Sequence, residues 1–205
     1  AAARFLDKST VIAGDHRITA RFFVIATGSS PLVPDVSGIA EVPYFTNETI
    51  FDNAELLPRL IVIGGGGTAL ELAQAHHRLG SIVTVLEDGH ALSGEDPELS
   101  AVVLSALRGQ GIDIREGAQL TAATRTADGV SVTVTRNGVS EIHDGTHLLI
   151  AAGRKPNLAN LGLEAAGVRY TKSGITVDRG LRTSNRRVFG IGDVTGQSSS
   201  AHGAE

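Results

Sequence analysis

The middle of the chain alternates between short apolar runs and longer stretches with helical spacing. Residues 60–63 are four consecutive apolar residues, largely β-branched, and they predict a buried parallel strand. After a glycine-rich turn, residues 68–79 carry the spacing of a helix that ends at Gly80, and residues 82–86 predict a second buried strand. The pattern therefore predicts a strand–helix–strand unit of the kind that builds parallel sheets.

A second helix is indicated by the residues at its two ends. Asp96 is a suitable N-cap, Pro97 fits the first helical position, and Gly109 and Gly111 predict where the helix ends. Residues 112–114 predict the next strand, which completes a half-Rossmann unit. Helical spacing predicts that this helix has one apolar stripe, formed by Leu99, Val102, Val103, Ala106 and Leu107.

The period of the pattern then changes from helical to two. Residues 120–126, 130–136 and 139–143 alternate between apolar and polar positions. They are separated by Asp128-Gly129 and Asn137-Gly138, and both dipeptides favour tight hairpin turns. The segment therefore predicts a three-stranded antiparallel meander.

The remaining segments complete the predicted fold. Residues 147–152 predict the last buried strand of the parallel sheet. Upstream, the pattern predicts three short strands, at residues 5–6, 10–13 and 18–26. A loop-rich connection follows over residues 35–58, and it contains one brief predicted helix at 53–57. The predicted fold class is α/β: a Rossmann-type, doubly wound parallel sheet with the antiparallel meander over one face.

The turn before the first helix carries the main candidate chemistry. Gly64, Gly66 and Ala69 occupy the three small positions of the G-x-G-x-x-G/A dinucleotide fingerprint. These positions allow the tight turn, the close approach of backbone N–H groups to a pyrophosphate, and close packing of helix on strand. The pyrophosphate binds at the positive end of the helix. The predicted dinucleotide-binding residues of the turn are Gly64, Gly65, Gly66, Gly67, Thr68 and Ala69.

Glu87 is the predicted partner of the adenosine ribose. It ends the second strand, close to the roughly 20 residues after the first glycine at which this motif places its acidic residue. A carboxylate accepts hydrogen bonds from a free 2′-hydroxyl and repels a 2′-phosphate. Arginine is the usual partner of that phosphate, and Asp88, Gly89 and His90 provide none. The sequence therefore favours NAD(H) over NADP(H).

Composition narrows the class of protein. The formal net charge of −4 gives no basic surface for nucleic acid, and no apolar stretch approaches the ~20 residues of a membrane span. With no secretory pattern at its start, the chain is expected to be cytoplasmic. The sequence has neither cysteine nor methionine, which excludes thiol chemistry within it and suggests an internal segment of a longer protein. His76 and His77 are interpreted as surface or boundary residues, so we expect no metal ligands.

Three further motifs lie around the predicted dinucleotide unit. They are Ala26-Thr27-Gly28 before it, 152–157 after its last strand, and 188–194 near the end of the chain. In this order they resemble class I of the pyridine nucleotide–disulfide oxidoreductases, and residues 46–51 are most similar to the mercuric reductase and dihydrolipoamide dehydrogenase-like members. The resemblance covers essentially the whole chain and implies an NAD domain inserted into a split FAD domain. It implies that residues 1–33 end the first FAD half, 34–153 form the NAD(H) domain, and 154–205 belong to the second FAD half.

The resemblance also implies roles for individual residues. Gly153 and Glu71 would lie on the nicotinamide side of the NAD(H) site, in addition to the glycine turn and Glu87. The FAD-binding residues would be Thr27, Gly28, Asp193, Ala201 and His202. Hydride would pass from NADH to FAD and on to a disulfide or related small-molecule acceptor in a homodimeric parent. This chain contains none of the redox cysteines, so we assign no catalytic residue and expect it to be inactive by itself.

Two other functions remain open from the sequence. One is a thiol-independent NADH:flavin oxidoreductase of the NADH oxidase or ferredoxin reductase type. The other is a nucleotide-binding module without catalytic activity. The identity of the electron acceptor depends on residues outside this sequence.

Overall fold

The computed structural model describes residues 2–196, which divide into two compact units. The inserted unit is the continuous segment Pro31–Gly153. The flanking unit combines the residues up to Ser30 with those from Arg154 onward. One continuous unit therefore interrupts the other in the sequence.

The strands and helices have the following bounds, in chain order. The strands are β1 (Ala3–Phe5), β2 (Thr10–Ala13), β3 (His16–Thr19), β4 (Phe23–Ile25), β5 (Ser29–Pro31), β6 (Phe45–Thr46), β7 (Arg59–Ile63), β8 (Ile82–Leu86), β9 (Asp113–Arg115), β10 (Gln119–Thr126), β11 (Gly129–Arg136), β12 (Val139–Gly145), β13 (His147–Ile150), β14 (Arg154–Pro156), β15 (Tyr170–Thr171), β16 (Gly174–Ile175) and β17 (Val188–Gly190). The α-helices are α1 (Gly67–Arg78), α2 (Pro97–Gly109) and α3 (Leu163–Ala166), with 3-10 turns at Ile39–Glu41, Ile50–Asp52 and Gly192–Thr195.

A parallel sheet of five strands forms the centre of the inserted unit, in the order β6-β13-β7-β8-β9. Strands β10, β11 and β12 form a separate antiparallel meander. This arrangement confirms the predicted α/β fold class with its parallel sheet and three-stranded meander.

The two faces of the parallel sheet pack against different layers. Along β7, Leu60 and Val62 belong to a core shared with the two long helices, whose buried residues include Leu72 and Leu107. The alternate residues of the same strand belong to a second core, shared with buried valines of β11. Because both faces are covered, the strands are continuously apolar, as expected for a parallel sheet.

The predicted apolar stripe of α2 was largely wrong. Leu99, Val102 and Val103 are 68%, 69% and 45% exposed, and the buried residues of the helix are Ser100, Leu104 and Leu107. The helix has apolar side chains on two sides, so spacing alone does not select the buried one. Asp96 caps the helix as predicted, by accepting hydrogen bonds from the N–H groups of Glu98 and Leu99.

Two predictions upstream of the sheet also need correction. Residues 53–57 contain no helix, because Asn53 is extended and its side-chain amide donates to the carbonyl of Glu55 at 2.6 Å. The short helical turn lies just before them, at Ile50–Asp52. The strand expected over 18–26 is divided between β3 and β4, which pair with different partners.

The flanking unit has its own core. Strands β1, β2 and β3 form an antiparallel sheet, whereas β4 pairs with β17 in parallel. Phe5, Ile25, Leu163 and Val188 are buried together in this core. None of the helices in residues 2–196 is long and apolar enough to cross a membrane.

A partly buried histidine lies between charged groups in the inserted unit. Nε2 of His143, on β12, is inaccessible to solvent and lacks a hydrogen-bond partner, although it lies 3.6 Å from a carboxylate oxygen of Glu141. Arg115 donates hydrogen bonds to the carboxylates of Asp113 and Glu141. Burial lowers the pKa of His143, and Arg115 lowers it further, while the two carboxylates oppose the change.

This geometry predicts a loss of stability in acid that depends on His143. Because the folded state binds the proton less readily, the stability contribution is complete above the unfolded pKa near 6.5 and is lost as pH falls from that value through the lower pKa of the folded state. We expect the melting temperature to fall less between about pH 7.5 and pH 5.5 in His143→Gln than in the wild type. Ile142→Gln, at an exposed position on the same strand, is the matched control. Equal pH dependence of His143→Gln and the wild type would contradict the prediction.

Candidate functional site

The glycine turn lies at the carboxyl edge of the parallel sheet. Gly64 follows β7 with a φ of +112°, and its N–H donates to the carbonyl of Leu86 at 2.9 Å. A Cβ at Gly64 would lie 2.4 Å from the carbonyl oxygen of Ala151, at the end of β13. Both the left-handed backbone and this close approach require glycine.

The next part of the turn leaves open space at the start of α1. Gly66 precedes the helix and Gly67 is its first residue, and a Cβ on either would meet no atom within 4 Å. The first N–H groups of a helix have no partner within it, and no side chain caps this helix. Ala69 is fully buried, as expected for the position at which helix and strand pack closely. Thr68 lies exposed in the first turn.

Glu87, which directly follows β8, also holds the turn in place. Its carboxylate accepts hydrogen bonds from the N–H of Gly65 at 2.5 Å and from the N–H of Gly89 at 3.0 Å. A Cβ at Gly65 would lie 2.9 Å from the Glu87 side chain, so only glycine fits there. A carboxylate has about four acceptor positions, and these two bonds leave capacity for further donors.

The pKa of Glu87 responds to opposing influences. Burial raises the pKa of its carboxyl above the usual value, and the neighbouring Asp88 also raises it. The N–H groups of Gly89 and Gly65 act in the other direction, because they bond the ionised form.

A cavity of about 220 Å³ lies beside these residues. Gly64, Glu87 and Asp88 line one part of it, and Ala118, Leu120 and Ala152 line another. Strands β7, β8 and β13 thus end beside this cavity, which lies where open parallel sheets bind their ligands.

Two other predicted residues have defined places in the inserted unit. Gly153 directly follows the cavity-lining Ala152, with a φ of +115° and no atom within 4 Å of a Cβ. Glu71 is exposed on α1, one turn after the helix begins. The structure therefore brings the glycine turn, Glu87 and Gly153 to one edge of the sheet.

A second group of predicted residues gathers within the flanking unit. The Thr27 hydroxyl donates to the carbonyl of Asn157 at 2.8 Å, and the Asn157 amide donates back to the carbonyl of Thr27 at 2.9 Å. The N–H of Asn157 donates to the carbonyl of Gly28. Gly28 has a φ of +65° and open space where a Cβ would stand.

Asp193 has partners in the same unit. Its Oδ2 accepts a hydrogen bond from the Ser29 hydroxyl at 2.5 Å and lies 3.8 Å from Nε of Arg154. Arg154 in turn donates to the hydroxyl and to the carbonyl of Ser29. The sequence alone assigned no role to Ser29, Arg154 or Asn157, although Arg154 and Asn157 lie in the motif at 152–157 and Ser29 directly follows Gly28.

The remaining expectations concern residues outside these groups. Ala201 and His202 lie outside the described residues. Within 2–196 there is no group of three or more histidine and acidic side chains that could hold a metal. The ring nitrogens of His77 lie 3.2 and 2.7 Å from the carbonyl oxygens of Ser81 and Gln110, so this residue connects the ends of α1 and α2.

Comparison with known proteins matches the whole chain to one family. The sequence profile described as "Pyridine nucleotide-disulphide oxidoreductase" matches residues 1–205. A mercuric reductase from Lysinibacillus sphaericus is 40% identical over 195 residues, which are 94% of this chain and 36% of that protein. A dihydrolipoyl dehydrogenase from Geobacillus stearothermophilus is 36% identical over 215 residues, covering 98% of this chain and 44% of the relative.

Solved structures give the same match. The HOCl-induced flavoprotein disulfide reductase RclA from Escherichia coli superposes with a TM-score of 0.87 at 29% identity. The match covers 98% of this chain and 46% of that one. The chain thus spans less than half the length of each of these three proteins.

Proposed function

This chain belongs to the pyridine nucleotide-disulphide oxidoreductase family, and we propose that it is the NAD(H)-binding core of a flavin-dependent member. Membership of the family and similarity to a flavoprotein disulfide reductase imply FAD and NAD(P)H as cofactors. In the proposed reaction, hydride passes from NADH to FAD and on to a disulfide or related acceptor. Those cofactors carry the redox chemistry, and the chain binds and orients them.

The proposed domains follow the split arrangement of the family. Residues 34–153 would form the NAD(H) domain, with 1–33 and 154–205 as parts of the FAD domain. The interrupted order of the two compact units supports this assignment. The full-length parent would be a homodimer, and its redox cysteines would lie outside this cysteine-free sequence.

The observation that carries the proposal is that Gly64, the first residue of the glycine turn, and Glu87 line one cavity at the carboxyl edge of the sheet. The open space at Gly66 and Gly67 suits a pyrophosphate at the positive end of α1. Glu87, which keeps acceptor capacity after bonding Gly65, suits the ribose hydroxyls. Gly153 and Glu71 would lie on the nicotinamide side of this site.

The flanking unit is proposed to contribute to the flavin site. Thr27, Gly28 and Asp193 would contact FAD, with Ala201 and His202 proposed to lie near its ring system. The open space at Gly28 and the hydrogen-bonded carboxylate of Asp193 are compatible with those roles.

Glu87 also supports a preference for NADH. Its carboxylate is adjacent to the exposed Asp88, and both line the cavity. Two carboxylates would repel a 2′-phosphate, whereas the free ribose hydroxyls of NADH would find acceptors.

Calorimetric titration of the purified protein with NADH and, separately, NADPH tests the proposal. We expect NADH to bind with a Kd of about 1–100 μM and NADPH at least tenfold more weakly, because only NADH avoids charge repulsion at Glu87. Binding of neither nucleotide by protein that is folded by circular dichroism would contradict a nucleotide-binding role. Equal affinity for both nucleotides would support a nucleotide-binding site but would contradict the preference for NADH.

A further inference from the structure

Glu116 lies next to the proposed ribose site through the backbone. The N–H of Glu87 donates to the carbonyl of Arg115 at 3.0 Å, and the N–H of Ala118 donates to the carbonyl of Glu87 at 2.8 Å. The N–H of Gly117 donates to the carbonyl of Gly89 at 3.0 Å. These bonds fix the segment that contains Glu116 alongside the segment that begins at Glu87.

The Glu116 side chain contacts the loop that follows Glu87, at His90 and Ala91. Its Oε1 accepts a hydrogen bond from the N–H of Ala91 at 3.0 Å and lies 3.5 Å from Nδ1 of His90. This loop directly follows Asp88, which lines the cavity. Any group bound at the 2′ position of the ribose would approach this same loop.

Glu116 also holds an arginine that is distant in sequence. Nη2 of Arg108, on α2, donates to Oε2 of Glu116 at 2.7 Å. Arg108 is the main cause of a lowered pKa at Glu116, so the carboxylate stays ionised and the pair persists at neutral pH. The Arg108 side chain is 43% exposed, so an arginine released from this pair would be accessible to an anionic ligand.

We propose that Glu116 is a second determinant of NADH preference, because it pairs with Arg108 and so denies that arginine to a 2′-phosphate. This proposal rests on the proposed NAD(H) site and adds to it. Glu87 would disfavour the phosphate by repulsion, and Glu116 would disfavour it by keeping a neighbouring cation occupied. Specificity would then depend on a residue that does not contact the nucleotide.

Replacement of Glu116 by glutamine tests this role. The amide oxygen of Glu116→Gln can still accept from the N–H of Ala91, whereas the charge that holds Arg108 is lost. We expect NADPH to bind about tenfold more tightly and NADH to change less than about twofold, as measured by calorimetry at low salt. Glu116→Ala, which also frees Arg108, should show the same gain.

Two further variants decide whether Arg108 is responsible. Adding Arg108→Ala to Glu116→Gln should remove the gain in NADPH affinity. Asp113→Asn is the matched control, since it makes an equal change of charge on the adjacent strand β9 and removes one of the two carboxylate partners of Arg115. An unchanged NADPH affinity in both Glu116 variants, a gain that survives Arg108→Ala, or an equal gain in Asp113→Asn would each overturn the proposal.

Failure of this inference is distinguishable from failure of the proposed function. If the wild type binds NADH and the Glu116 variants keep its low NADPH affinity, only the role of Glu116 is rejected. If the folded wild type binds neither nucleotide, the site itself is rejected. NADH affinity and the melting temperature of each variant show whether it has folded.

Discussion

Gly64→Ala is expected to lose NADH binding and roughly 3 kcal/mol of folding free energy. Gly64 has a φ of +112°, which alanine adopts only under strain, and the new Cβ would stand 2.4 Å from the carbonyl oxygen of Ala151. That oxygen belongs to the backbone at the end of β13, so it cannot rotate away. Urea unfolding and calorimetric titration with NADH would measure the two losses.

Gly67→Ala is the matched control for this substitution. The added Cβ meets no atom within 4 Å, and alanine is favoured over glycine in a helix. We expect the folding free energy of Gly67→Ala to equal or exceed that of the wild type. A Gly64→Ala protein with wild-type stability and NADH affinity would show that the turn does not have the described conformation.

Glu87→Arg is expected to weaken NADH by about 10- to 100-fold and to make NADPH the tighter ligand. The substitution removes the proposed bonds to the ribose hydroxyls and introduces a cation that can pair with a 2′-phosphate. The structure adds a second effect, because Glu87 also accepts from the N–H groups of Gly65 and Gly89. We therefore expect a lower melting temperature as well as the change in specificity.

Glu87→Gln separates these two effects. Its amide oxygen can still bond one of the two N–H groups, but it provides no cation for a phosphate. This variant should bind NADH more weakly without becoming selective for NADPH. If both nucleotides bound Glu87→Arg as they bind the wild type, Glu87 would not be at the ribose.

The fold of the inserted unit was predictable where local sequence and tertiary packing favour the same structure. Continuous apolar runs such as residues 60–63 suit only strands that are covered on both faces. Asp128-Gly129 and Asn137-Gly138 define two hairpin turns, which set the register of the meander. The prediction of α2 gave its start correctly and its buried face wrongly, since both of its sides carry apolar residues.

Much of the site depends on contacts that sequence spacing does not contain. The bond from Ser29 to Asp193 joins residues 164 positions apart, and the pairing of β4 with β17 produces it only in the folded chain. Arg108 and Glu116 are close in sequence, but only the packing of α2 beside β9 brings them together. The glycine turn could be predicted from the sequence because its residues are consecutive, whereas these side-chain pairs could not be predicted because they form only through tertiary packing.

The insertion of one unit within the other has a consequence for the order of folding. Residues 27–30 and 154–157 must meet to complete the flanking unit, yet Ser30 and Asn157, which bond each other, are 127 positions apart. The N–H of Leu32 donates to the carbonyl of Gly153 at 2.9 Å, so the folded inserted unit already holds its own two ends together. Closing a loop of that length in a disordered chain costs ~3 kcal/mol more than closing a loop of a few residues. Folding of the inserted unit thus brings the two parts of the flanking unit together. A destabilising change within the inserted unit should therefore delay folding of the flanking unit, although it alters no residue of that unit.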